Sequence, residues 1–158
     1  MQPSQTLINY IKQAEGFSPH AYLDPPGNTR GLHSTGYGHQ IQPNEKALLT
    51  KTLTQPEAEL MLNADLRSYV AATNLAIHRP VSQPQFDALV DLAYNAGIGS
   101  MQKVAATWNT TGSVTDTVAH LQLYNHSNGA VNPNLTKRRN HESNWFSGMI
   151  AGVEKKNP

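Results

Sequence analysis

The feature that most limits the fold is a change of character between residues 16 and 43. Gly16, Pro19, Pro25, Pro26, Gly27, Gly31, Gly36 and Gly38 break this stretch into segments too short for a helix. Such segments suit a small hairpin sheet with tight turns. Helical periodicity holds on both sides of it. Residues 5–14 place Leu7, Ile8, Ile11 and Ala14 on one stripe that ends at Gly16. Thr54-Gln55-Pro56-Glu57 has the capping-box pattern, with proline in the first turn where its missing N–H costs nothing. Leu60, Met61, Ala64, Ala71 and Leu75 then extend an amphipathic helix to about Ile77, and Pro80 stops it. Ser82 caps the next helix, with Phe86, Leu89, Val90, Ala93 and Tyr94 at core spacing and Gly97 at its end. Residues 101–108 and 114–124 read as two short helices, 125–134 as a polar loop and 135–147 as a last, basic helix.

These elements predict an α+β, mostly helical fold in one domain spanning residues 1–158. A small β-hairpin lobe is expected at about 15–53 and a connecting helix at about 54–78. A helical lobe at about 82–147 is expected to take in the N-terminal helix. A cleft between unequal lobes is a common seat for a ligand. With 38% apolar and 15% charged residues the chain is globular in composition, and a domain of this size buries roughly 70% of its unfolded surface.

Several classes of function are disfavoured. The chain has no cysteine, so disulfides and thiolate chemistry are excluded. A net charge of +1 is too small a bias to argue for nucleic-acid binding. The first residues, Met1 to Gln5, lack the basic patch and apolar run of a signal peptide, and no run approaches the roughly 20 apolar residues of a membrane span. The expectation is a soluble monomer made in the cytoplasm without a Sec-type signal. None of the seven histidines stands in an H-E-x-x-H or similar pair, and phosphate-loop, dinucleotide and nucleophile-elbow motifs are missing. No metal or cofactor is expected.

Glu15 ends the first apolar helix, just before Gly16-Phe17. Its side chain is expected against the core, and a desolvated carboxyl is what a general acid needs near neutral pH. An exposed Glu at a fraying helix end is the bland alternative. Asp24 follows nine residues later, before Pro25-Pro26-Gly27, where Asp is also an ordinary turn initiator. Together the two match the paired carboxylates of glycoside hydrolysis. In Ser34-Thr35-Gly36-Tyr37-Gly38-His39, glycines two apart mark a strand that another group approaches closely.

The segments Glu15-Gly16-Phe17, Ala21-Tyr22-Leu23-Asp24 and Gly36-Tyr37-Gly38-His39, in that order, closely resemble the signature of the phage-type lysozymes, glycoside hydrolase family 24. The resemblance continues through Leu53–Glu59 and Asp65-Leu66, then Gln85–Val90 with Tyr94-Asn95-Ala96-Gly97, and Leu135–Arg139 with Glu142. It implies a lysozyme-like fold and cleavage of the β-1,4 bond between N-acetylmuramic acid and N-acetylglucosamine in bacterial peptidoglycan. Glu15 would protonate the leaving oxygen and Asp24 would act on the opposite face of the sugar. The family's catalytic threonine falls on Ser34, and a longer Asp24–Gly36 interval leaves Thr35 as the alternative hydroxyl. Tyr22, Gly36, His39, Tyr94 and Asn95 would line the cleft. At least one of Arg138 and Arg139 would pair with an acid at the lobe interface. A holin or a virion component would deliver the enzyme from the host cytoplasm to the periplasm or wall. A lytic transglycosylase and a non-enzymatic glycan-binding module are the alternatives.

Overall fold

The computed structural model describes residues 1–23 and 31–149. It divides into two compact units: Gln5–Ser68, and Met1–Ser4 with the described residues from Tyr69 onward. Helix α2 (Gln55–Ala76) contributes to both.

The first unit opens with α1 (Gln5–Glu15), which buries Leu7 and Ile11. Ile8 is half-buried and Ala14 is exposed, so the buried row is the narrow i, i+4 part of the expected stripe. Gly16 ends the helix at φ 72°, and its N–H reaches the Lys12 carbonyl at 3.1 Å. Three antiparallel strands follow in the order β1 (Ser18–Leu23), β2 (His33–Gly36), β3 (His39–Gln40). Tyr22 faces Ser34, Leu23 faces His33, Ser34 faces Gln40 and Thr35 faces His39. A short 3₁₀ helix, Lys46–Leu49, leads to the segment before α2, where the Leu53 N–H is held by the Pro19 carbonyl at 2.8 Å.

Helix α2 begins as its sequence predicts. The Thr54 N–H donates to the Glu57 carboxylate at 2.8 Å and the Glu57 N–H to Thr54 Oγ1 at 3.4 Å. The Lys51 ammonium beside Glu57, with the Thr54 donors, holds this carboxyl down at about 2. Its buried face is not the expected one. Ala58, Leu62, Leu66 and Val70 are buried, whereas Leu60 is 72% exposed and Leu75 79%. Two apolar rows run along this helix, and the one that repeats every four residues is used. A packing constraint favours it. A Cβ placed on Gly36 of β2 would lie 3.2 Å from the Ala58 Cβ, so the row starting at Ala58 meets a glycine able to admit it.

The second unit is helical. Helix α3 (Gln83–Ala96) packs on α4 (Ile98–Thr111) and α6 (Pro133–Phe146), and α5 (Val114–Gln122) packs on α4 and α6. Ser82 forms a full capping box with Gln85. Phe86, Leu89, Leu92, Met101, Leu121 and Phe146 make the core, and Trp108 stands edge-on to Phe146 at 5.4 Å. Met1–Ser4 is tied to this unit, with the Ser4 N–H donating to Asp87 at 3.1 Å. Helix α4 starts three residues before the expected 101, because Gly97 serves as both the end of α3 and the cap of α4. The expected 125–134 loop contains a two-stranded hairpin, β4 (His126–Ser127) and β5 (Ala130–Val131), turning at Asn128-Gly129. Helix α6 likewise starts early, with Pro133 in its first turn and the Asn132 side chain accepting from the Asn134 and Leu135 N–H groups.

Candidate active site

Leu7, Ile11 and Glu15 lie on one row of α1, four residues apart. The row is buried at Leu7 and Ile11 and runs past the core at its end, so Glu15 is exposed. This corrects the expectation that the carboxylate lies against the core. Its neighbours are ordered. Phe17 and Tyr37 have ring centroids 5.6 Å apart, Lys12 sits 5.5 Å over the Tyr37 ring, and Lys12 is ion-paired with Glu59. Asp24 lies outside the described residues.

Directly opposed residues of an antiparallel pair share a face, so Tyr22, Ser34 and Gln40 stand on one face of the sheet and Thr35 and His39 on the other. Ser34 is 1% exposed, at a buried position within β2. Thr35 is also fully buried, and its Oγ1 has no hydrogen-bond partner among the described residues. Tyr22 is 37% exposed at the edge of the sheet. Gly36, at φ 63°, is committed to the contact with Ala58.

His39 is clamped by two carboxylates. Its Nδ1 meets the Asp65 oxygens at 2.8 and 3.0 Å, and its Nε2 meets Glu45 at 2.9 Å. The Asp65 bond, reinforced by Glu45, pushes the imidazole up to about 9 against the cost of burial. The Glu45 carboxyl is held below its ordinary value, first by the Gln42 N–H and then by His39. Both ring nitrogens are therefore engaged, and His39 ties β3 and the 3₁₀ turn to α2. Sequence reading named His39 but missed Glu45 and Asp65 as its partners. A carboxylate six residues from a histidine, with a second one on the next helix, gives no distinctive local signal.

In the helical unit, Tyr94 stands edge-on to Tyr69 at 5.4 Å, and the Asn95 side-chain amide oxygen accepts from Arg139 Nη2 at 2.9 Å. Arg138 grips Asp91 through two bonds of 2.8 and 2.9 Å, and Arg139 donates to Glu142 at 2.5 Å. All four of these residues are buried, and both arginines pair with acids inside the helical unit. Burial disfavours the Asp91 carboxylate, yet the Arg138 guanidinium outweighs it and holds the group below its ordinary value. Burial, and then the Asp91 charge, pushes the Glu142 carboxyl well above its ordinary value. The clue to Asp91 was available: an acid inside the buried run Phe86–Ala93 needs a partner, which is Arg138 for Asp91 and Ser4 with Gln83 for Asp87. Among the described residues no cluster of three or more His, Cys, Asp or Glu side chains converges as a metal site requires.

A family model described as phage lysozyme matches residues 12–142. The chain is 34% identical to an endolysin of Bacillus phage PZA over 93% of its own length and 55% of the relative's. It thus spans about half the length of such curated relatives. Among solved structures, an endolysin from Escherichia coli O157:H7 phage FAHEc1 superposes with a TM-score of 0.81 at 31% identity, covering 96% of this chain and 97% of that one. The muramidase domain of SpmX from Asticaccaulis excentricus gives a TM-score of 0.79 at 30% identity, covering 92% and 97%.

Proposed function

The chain belongs to the phage lysozyme family, and from that membership we propose that it hydrolyses the β-1,4 bond between N-acetylmuramic acid and N-acetylglucosamine in bacterial peptidoglycan. One observation carries the reading beyond the family: the helix end bearing Glu15 leads straight into β1, which pairs Tyr22 with Ser34 on one sheet face. An exposed carboxyl on a rigid helix and a hydroxyl on a central strand are suited to hold a glycan's atoms in fixed positions.

Glu15 donates its proton to the glycosidic oxygen as the bond to the muramic acid anomeric carbon breaks. Asp24, as carboxylate, takes a proton from the water that attacks the opposite face, and the Ser34 hydroxyl orients that water. The anomeric carbon is inverted. Inversion requires the two carboxyl groups to stand roughly 6.5–9.5 Å apart, leaving room for the water. Tyr22, on the same sheet face as Ser34, presents ring surface to the sugar. The enzyme works as a monomer at the wall, reached through a holin or as a virion component.

Glu15→Gln is the direct test. The amide is nearly isosteric but has no proton to give, so clearing of chloroform-treated Gram-negative cells should fall at least about a hundredfold. Wild-type clearing by a folded Glu15→Gln variant would remove Glu15 from this role. Mass spectrometry of digested sacculi reads the reaction type, because a transglycosylase leaves anhydro-muramic ends lighter by one water.

A further inference from the structure

Glu15 stands on a poorly anchored stretch of α1. Leu7 and Ile11 are buried, but residues 13–16 are all exposed. Helix ends of this kind fray, because their last carbonyls have no partner within the helix. A proton donor needs the opposite, a carboxyl held to within about 0.5 Å of its productive geometry.

The exposed stretch is bracketed by two residues that meet the same side chain. Lys12, just before it, has its ammonium 5.5 Å from the centre of the Tyr37 ring. Phe17, just after it, has its ring centre 5.6 Å from that of Tyr37, at a tilt of 45°. Tyr37 is 5% exposed and lies in the tight turn between β2 and β3, where Gly36 and Gly38 take φ of 63° and 83°. Lys12 is held a second time, by its ion pair with Glu59 on α2. That bond raises the Lys12 group above its ordinary value, which keeps the cation charged over the ring. The Gly16 N–H, bonded to the Lys12 carbonyl at 3.1 Å, closes the last turn onto the anchored residue.

We propose that Tyr37, Lys12 and Glu59 are positioning residues that stop the last turn of α1 from fraying and so aim Glu15, an inference that rests on the reading of Glu15 as the acid. They act through the backbone of residues 12–17. A cation over a ring and a partly exposed ion pair are each weak. Their convergence on one buried ring fixes both ends of the stretch that carries Glu15.

Kinetics on sacculi and amide hydrogen exchange test this together. Glu15 serves the transition state, so loss of its aim should lower kcat with KM unchanged. Glu59→Gln and Lys12→Met should each lower kcat about threefold, the effect of one partly exposed ion pair. Lys12→Arg, which keeps the cation, should retain the wild-type rate. The double variant should be no slower than Lys12→Met alone, because the two changes remove one shared bond. Tyr37→Leu releases Lys12 and Phe17 at once and should lower kcat about tenfold, whereas Tyr37→Phe keeps the ring and the rate. In the Glu59→Gln protein the Gly16 amide should exchange about threefold faster, with the Ile11 amide unchanged. Wild-type kcat in both Glu59→Gln and Lys12→Met, a rise in KM at constant kcat, or an unaltered Gly16 exchange rate would overturn the proposal. If Glu15→Gln still cleared cells, the acid reading would fall, whereas Gly16 exchange would still show whether the bracket holds the helix end.

Discussion

Ser34 and Thr35 show how far a single residue's chemistry depends on the side of a strand it occupies. Both are buried hydroxyls, and their order in the sequence does not decide between them. The pairing of β2 sets them on opposite faces, Ser34 with Tyr22 and Thr35 with His39, and the proposed site uses the Ser34 face. Thr35 carries a fully buried Oγ1 with no partner among the described residues, and an unmet hydroxyl of this kind costs about 1–3 kcal/mol. Thr35→Val keeps the shape and removes the unmet group. It should therefore raise the unfolding free energy by about 1 kcal/mol and leave lytic activity unchanged. Ser34→Ala should lose activity strongly while the protein still folds, and Ser34→Thr should retain it. Parallel denaturant melts and turbidity assays settle the matter. An inactive, stable Thr35→Val beside a normal Ser34→Ala would move the functional hydroxyl by one residue.

Among the elements, those with local punctuation were legible and those that depend on a partner were not. The Thr54–Glu57 and Ser82–Gln85 boxes fixed two helix starts because the capping groups lie three residues apart. The hairpin β4–β5 and the early starts of α4 and α6 were missed, since Asn, Gly and Pro serve loops, strand turns and helix first turns alike. Helix α2 is the clearest case. Leu60 and Leu75 are as apolar as Leu62 and Leu66, and only the glycine in β2 that admits Ala58 selects the second row. A pair of truncations measures the choice. Leu62→Ala empties a site that is 2% exposed and should cost about 2–5 kcal/mol. Leu60→Ala removes a side chain 72% exposed and should stay within about 0.5 kcal/mol of wild type. Urea unfolding that reversed this order would mean that α2 turns its other face inward.

At the scale of the whole molecule, each compact unit holds a charged cluster that joins separate elements, so local pattern shows only part of each. In the sheet-bearing unit Glu45, His39 and Asp65 join the 3₁₀ turn, β3 and α2. In the helical unit Asp91 and Glu142 join α3 and α6 around Arg138 and Arg139. His39 and Glu142, one in each cluster, make stability depend on pH in the same direction. His39 is held at about 9 when folded and returns to about 6.5 when unfolded. Its stabilisation is fully present below about 6.5 and is lost as pH rises through 9, an effect of at most about 3 kcal/mol. Glu45 works at the other end: its lowered folded value means that its contribution is present above about 4.5 and is lost on further acidification. Glu142 binds a proton more tightly folded than unfolded, so its contribution also declines as pH rises above about 4.5. The protein should therefore be most stable in mildly acid solution and weaken steadily from about pH 6.5 to 9. His39→Gln keeps a polar side chain but cannot take the proton, so it should flatten this decline while lowering stability at pH 6. Thermal melts of both proteins from pH 5 to pH 9.5 provide the measurement. A wild-type Tm that stayed level or rose between pH 6.5 and 9 would mean that the His39 clamp does not hold its charge.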